Sequence, residues 1–164
     1  MRMVELFKIK KAEIKGIIIL LTSLSISSCN TIQKSNFKKE YIHPANGYSQ
    51  VVSITSGNTK TLYISGQIGE GKDLEAQMHS VFSKLKIELE TCGATYKDIV
   101  KINTYIVNYK EEYYETFRRI RREVLGTEEM PASTLIGVTS LAKSEYLIEM
   151  DAIAVIPLDK TNKK

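Results

Sequence analysis

From Gly47 to Pro157 the spacing of apolar residues changes character in a fixed order. Val51-Val52-Ser53-Ile54 and Thr61-Leu62-Tyr63-Ile64-Ser65 are short β-type runs on either side of the turn-prone Ser56-Gly57-Asn58, which predicts a hairpin. Leu74, Met78, Val81, Leu85 and Leu89 then recur at steps of three or four, the signature of a helix with one apolar face, with Asp73 placed to cap its start and Gly93 to stop it. The stretch from Asp98 to Tyr109 is rich in Ile, Val, Thr and Tyr. With Val100, Ile102, Thr104 and Ile106 on one side and Ile99, Tyr105 and Val107 on the other, it predicts an interior strand. Tyr114, Phe117, Ile120 and Val124 return to helical spacing and Gly126 ends that run. Ser133 to Ser140 and Tyr146 to Ile156 read as two more strands joined by Leu141–Glu145. The predicted order is β-β-α-β-α-β-β, an α+β domain with two helices on one face of a mixed sheet.

The N-terminal residues follow a different pattern. Arg2, Lys8, Lys10, Lys11 and Lys15 precede the apolar run Gly16-Ile17-Ile18-Ile19-Leu20-Leu21, and small residues lead on to Cys29, the order of a secretory signal. The apolar run is too short to span a bilayer. Its end, Ile26-Ser27-Ser28-Cys29, resembles a bacterial lipobox, which implies cleavage before Cys29, a lipid on its thiol and a cell-envelope location anchored to a membrane. A plain signal peptide, or a core helix with a chance cysteine in a cytoplasmic protein, is the competing reading. The expected division is a signal over 1–28, a polar Lys-rich tether over 29–41, a globular domain over 42–158 and a polar tail over 159–164.

This division changes the meaning of the charge. The whole chain carries a formal +4, but without residues 1–28 there remain 18 basic against 17 acidic residues, so no general attraction to nucleic acid follows. Cys29 and Cys92 are the two cysteines; with Cys29 lipidated no internal disulfide is possible, and Cys92, at the end of a helical pattern, reads as a small buried residue.

Several short motifs, in order across about 110 residues, resemble the Rid family, the reactive-intermediate deaminases also called the YjgF family. They are Gly47-Tyr48-Ser49-Gln50, Tyr63-Ile64-Ser65-Gly66-Gln67-Ile68, Gly93-Ala94-Thr95 with Asp98-Ile99-Val100-Lys101, and then Pro131-Ala132, Thr134, Gly137-Val138, Leu141 and Leu147 to Ala154. The resemblance implies a chorismate-mutase-like fold, a homotrimer with ligand clefts between subunits, and hydrolysis of small enamines and imines to keto acids and ammonia without metal or organic cofactor.

One departure bears on that activity. The family motif is Pro-Ala-Arg, whose guanidinium holds the substrate carboxylate through two parallel hydrogen bonds. Here Ser133 stands in its place. By the same resemblance Glu149 falls on the glutamate that positions water, while Tyr48 and Ser65 match cleft-lining positions, and Thr134 and Gly137 offer further hydrogen bonds. Arg118 falls near a cleft-lining asparagine of the family and is a candidate replacement for the lost guanidinium. Its competing reading, with Arg119, Arg121 and Arg122, is a solvated helix face paired with Glu111, Glu112, Glu115 and Glu123. The implied function is therefore imine or enamine hydrolysis with an altered substrate range, and the alternative is a trimeric small-metabolite-binding protein without turnover. The two histidines, His43 and His79, form no evident acid-base pair, so the sequence offers no support for ribonuclease chemistry.

Overall fold

The computed structural model describes residues 37–158. The expected signal, Cys29, most of the tether and the tail fall outside the described residues. Six strands form one sheet: β1 (Lys38–Ala45), β2 (Tyr48–Ser56), β3 (Thr59–Ile68), β4 (Ile99–Val107), β5 (Ala132–Val138) and β6 (Ile148–Pro157). Two helices, α1 (Leu74–Thr91) and α2 (Tyr113–Leu125), complete the domain. The spatial order is β1-β2-β3-β6-β4-β5, and the β4–β5 pair alone is parallel, because α2 carries the chain back to the starting end of the sheet between them. The α+β expectation with a mixed sheet and two helices holds.

β1 is the element that the hydrophobic pattern did not predict. Lys38–Tyr41, assigned above to the tether, is paired with β2 from Lys38↔Thr55 onward, so the sheet includes the four residues before Ile42. Most of this strand is exposed, and it is held by ladder hydrogen bonds rather than by burial. Lysines on an edge strand discourage pairing with other chains. The link to β2 is Asn46-Gly47, with Gly47 at φ +92°, a two-residue hairpin turn that favours this dipeptide.

The remaining elements follow the pattern closely. α1 opens on Asp73, whose carboxylate accepts from Ala76 N at 2.9 Å, and buries Met78, Val81, Leu85 and Leu89. It ends at Gly93, whose φ of +79° lets Ala94 N reach back to Leu89 O at 2.8 Å. α2 buries Phe117 and Ile120, but Tyr114 is exposed and Tyr113 packs against the core in its place. β4 departs from the expected faces, because its pairing with β6 shifts between Ile99↔Ala154 and Lys101↔Ile153. That bulge turns both Ile99 and Ile102 into the core and leaves Val100 46% exposed.

The core lies between the sheet and the helices, with Ile148, Met150, Ala152, Ala154 and Ile156 of β6 facing inward at alternate positions. The opposite face carries Tyr63, Tyr105, Ile136, Asp151 and Ile153, and no helix of the described residues covers it. There Asn103 Nδ2 donates to Asp151 Oδ1 at 2.8 Å and Lys101 Nζ to Thr134 Oγ1 at 2.6 Å.

Candidate functional site

The end of the sheet where β2 begins, β3 ends and β6 begins holds a cavity of about 500 Å³, lined among others by Tyr48, Gln50, Gly66, Gln67, Tyr146 and Glu149. Register explains the gathering. β3 runs antiparallel to both neighbours, so Ile68 lies opposite Glu149, and the β3–β6 pairing slips between Ile64 and Gln67. At that irregularity Gly66 presents bare backbone to the Glu149 carboxylate; a Cβ at 66 would overlap Glu149 Oε1 and Cδ. Glu149 is half-buried and accepts no hydrogen bond from the described residues. Burial, with the Asp151 carboxylate on the same face second, pushes its pKa above the usual carboxylate value. The Tyr105 phenol, opposite Glu149 on β4, is raised likewise, by burial and then by Asp151.

Tyr48 is 54% exposed at the mouth of this cavity, a position for covering a ligand rather than for core packing. Ser65 lies beside it in the fold but spends its hydroxyl on Ser49 O at 2.7 Å, which fixes the backbone next to Tyr48. Gln67 Nε2 donates to Gln50 Oε1 at 2.9 Å and presents a fixed amide pair to the cavity.

The other expected site residues are elsewhere. Ser133 lies opposite Ile102, so it shares the helix-side pleat of β5, whereas Glu149, opposite Tyr105, points to the uncovered side. Within one protomer the two stand on opposite faces of the sheet. Thr134 is on the uncovered side with its hydroxyl held by Lys101. Gly137 has a packing reason to be glycine, since a Cβ there would come within 2.8 Å of Tyr109 Cβ. Arg118, on α2, lines a separate cavity of about 320 Å³ with Tyr114, Arg121, Arg122, Gly126, Thr127 and Met130.

The expected pairing of the α2 arginines is found in part. Arg119 is saturated, bonding Glu75 at 2.7 Å and Glu123 at 3.0 Å, and Arg118 meets Glu115 at 2.9 Å. Arg121 and Arg122 meet no carboxylate among the described residues. Cys92 is buried, and desolvation raises its thiol pKa, which suits a packing residue and not a nucleophile. His43 bonds Glu88 at 2.9 Å from β1, whereas His79 lines a different cavity with Lys72 and Tyr113. No cluster of His, Cys, Asp or Glu suited to a metal ion occurs among the described residues.

Sequence reasoning passed over the polar residues that shape the cavity. Gln77 is 3% exposed; its Nε2 donates to Gly71 O at 3.2 Å and Glu145 O at 2.9 Å, and its Oε1 accepts from Leu147 N at 2.8 Å. It thereby holds the loops that lead into Ile148 and Glu149. A glutamine on the apolar side of a helix, one residue before Met78, was the available signal.

The family model described as Endoribonuclease L-PSP matches residues 38–156, almost all of the described domain. The chain belongs to this family, the YjgF/Rid family. A protein named 2-iminobutanoate/2-iminopropanoate deaminase from Dermatophagoides farinae is 30% identical over 121 residues, covering 69% of this chain and 88% of that protein. The RutC family protein YjgH of Escherichia coli (strain K12) is 29% identical, with 64% and 81% covered. Among solved structures, the YjgF-family protein Rv2704 of Mycobacterium tuberculosis superposes with a TM-score of 0.62 at 22% identity, covering 73% of this chain and all of that one, which speaks to the fold. The Rid-family protein YyfB of Yersinia pestis is 33% identical, with a TM-score of 0.55 and 72% and 98% covered.

Proposed function

We propose that this Rid-family protein hydrolyses a small enamine or imine to the carbonyl compound and ammonia, with Glu149 moving the proton. The observation that carries the proposal is Glu149 itself: half-buried, laid over Gly66, raised in pKa and free of hydrogen bonds from the described residues, in a cavity that also contains Tyr48. Water adds to the imine carbon while its proton passes to Glu149. The same proton returns to nitrogen to give the carbinolamine; its O–H proton then passes through Glu149 to the amino group as the C–N bond breaks, leaving C=O and NH₃. A carboxylate whose pKa is raised by burial is a stronger base than an ordinary one, which suits it to take the proton from water. The deaminase named above supports the same substrate class.

The site then needs two walls. Glu149 and Tyr48 line one, with Ser65 fixing the backbone beside Tyr48; Ser133, Thr134, Gly137 and Arg118 would belong to the other, and a single protomer keeps Glu149 apart from Ser133 and Arg118. A neighbouring copy in a homotrimer, packed on the uncovered sheet face, would close the cleft. The substrate range differs from that of members with the motif arginine, since losing a buried charge-assisted contact costs about 2–5 kcal/mol. A lipid on Cys29 would hold the assembly at the cell envelope; a fatty-acid label on the full chain that Cys29→Ala abolishes tests this.

The test of function is ammonia release from freshly generated 2-iminobutanoate by the full chain. Release above the spontaneous rate that Glu149→Gln abolishes is the expected result; release unchanged by Glu149→Gln would refute the role of Glu149. The second reading, binding without turnover, is favoured by Ser133 and by the committed hydroxyl of Thr134. No release until Ser133→Arg is introduced would select it.

A further inference from the structure

The cavity beside α2 has an unusual charge balance. Three guanidiniums line it, those of Arg118, Arg121 and Arg122, together with Tyr114, Gly126, Thr127 and Met130, and no carboxylate is among its walls. Arg118 has an exposed partner, Glu115, and lies 5.6 Å from the Tyr114 ring. Arg121 is different. Its Nη2 donates to Pro131 O at 3.0 Å, while its Nε is buried and meets no hydrogen-bond partner among the described residues. A desolvated donor on a cation, left unpaired, is costly unless something binds there.

Pro131 opens the motif whose third place is Ser133. The Arg121 guanidinium is therefore bonded to the backbone two residues from the position that lacks an arginine. We infer that Arg121 and Arg122, with Arg118 at the rim, form an anion site that takes the substrate carboxylate, the guanidinium being supplied from α2 instead of from β5. Arg118, Arg121 and Arg122 share one cavity with no carboxylate in its walls, and a guanidinium offers the parallel donors a carboxylate requires. The ligand class is a small 2-keto or 2-imino acid; inorganic phosphate shares the anionic chemistry. The ligand's identity rests on the hydrolase reading above, whereas the site itself rests on the cavity.

The experiment uses the full chain and three ligands: 2-oxobutanoate, neutral 2-butanone and inorganic phosphate. Calorimetry gives affinity, and ¹⁵N spectra follow the arginine Nε–H resonances. We expect 2-oxobutanoate to shift one buried Nε resonance and 2-butanone to leave it unmoved. Arg122→Met should weaken 2-oxobutanoate at least tenfold. Arg119→Met, which removes an equal charge already satisfied by Glu75 and Glu123, should change affinity less than twofold. Arg121→Lys keeps the charge and loses the fork, and should weaken 2-oxobutanoate at least tenfold by calorimetry. Equal losses in Arg119→Met and Arg122→Met, or equal binding of 2-butanone, would overturn the inference. Phosphate that 2-oxobutanoate fails to displace would do so too, leaving an inorganic-anion site. Binding intact in a chain that hydrolyses no imine would count against hydrolysis alone; hydrolysis without carboxylate binding would count against the arginine site alone.

Discussion

Replacing Gln77 by leucine tests how the cavity is held. The side chain is almost fully buried, and leucine has similar volume, so the change removes polarity with little loss of packing. Three hydrogen bonds disappear, and the carbonyls of Gly71 and Glu145 and the N–H of Leu147 lose their partner. At about 1 kcal/mol per bond, and more for a group left buried without water, the loss should be about 2–4 kcal/mol. For a domain of this size, 1 kcal/mol moves Tm by about 3–5 °C, so the expected drop is about 6–20 °C. Thermal unfolding followed by circular dichroism measures it. Amide exchange should show the Gly69–Gly71 and Glu145–Leu147 backbones opening earlier than β3 and β6. A drop under about 3 °C would mean that water replaces the amide at little cost, and the claim that Gln77 holds the cavity's loops would fail.

Gly66→Ala should cost little stability, because the atoms a methyl would meet belong to the movable end of Glu149, yet it should displace that carboxylate and reduce imine hydrolysis at least tenfold. An alanine variant with full activity would show that the carboxylate does not work over bare backbone. For Glu149→Gln, the raised pKa of Glu149 means the fold prefers its protonated form. Stability then falls as pH rises from about the ordinary value of 4.5 through the raised one, and the penalty is complete above it. The glutamine variant should be more stable than the natural chain near pH 7 and equal to it below about pH 4; equal Tm values at pH 7 would contradict the shift. Asp73→Ala removes the cap on Ala76 N and should cost about 1 kcal/mol in thermal unfolding, while Asp73→Asn should recover most of it.

The elements that bury one regular face were legible in the chain. Five apolar residues at helical spacing located α1, and alternation located the inner face of β6, because burial repeats with the backbone period. β1 was not, since Lys38–Ala45 owes its shape to pairing with β2 and buries little; the Asn46-Gly47 turn was its one local sign. The faces of β4 failed at one residue, where a bulge between Ile99 and Lys101 breaks the period of two. In the site, Glu149 was legible as a charge within an apolar run. The separation of Glu149 from Ser133 was not, because it depends on which strands lie between them and on which pleat each occupies. Gln77 escaped because its partners, Glu145 and Leu147, are about 70 residues away along the chain.

The placement of β6 has a consequence during synthesis. This strand is the last of the six in sequence, yet it stands in the middle of the sheet, pairing with β3 on one side and β4 on the other. As a chain leaves the ribosome, β1, β2 and β3 can zip together locally, and β4, α2 and β5 can form their own crossover unit. Each piece then exposes an unpaired strand edge until Ile148–Pro157 arrives to join them. Contacts such as Leu62↔Ala154 close a loop of some 90 residues, the kind of step that slows folding and lengthens exposure to aggregation. Glu149 enters with that same strand, so the candidate catalytic carboxylate reaches its cavity only when the two halves have become one sheet.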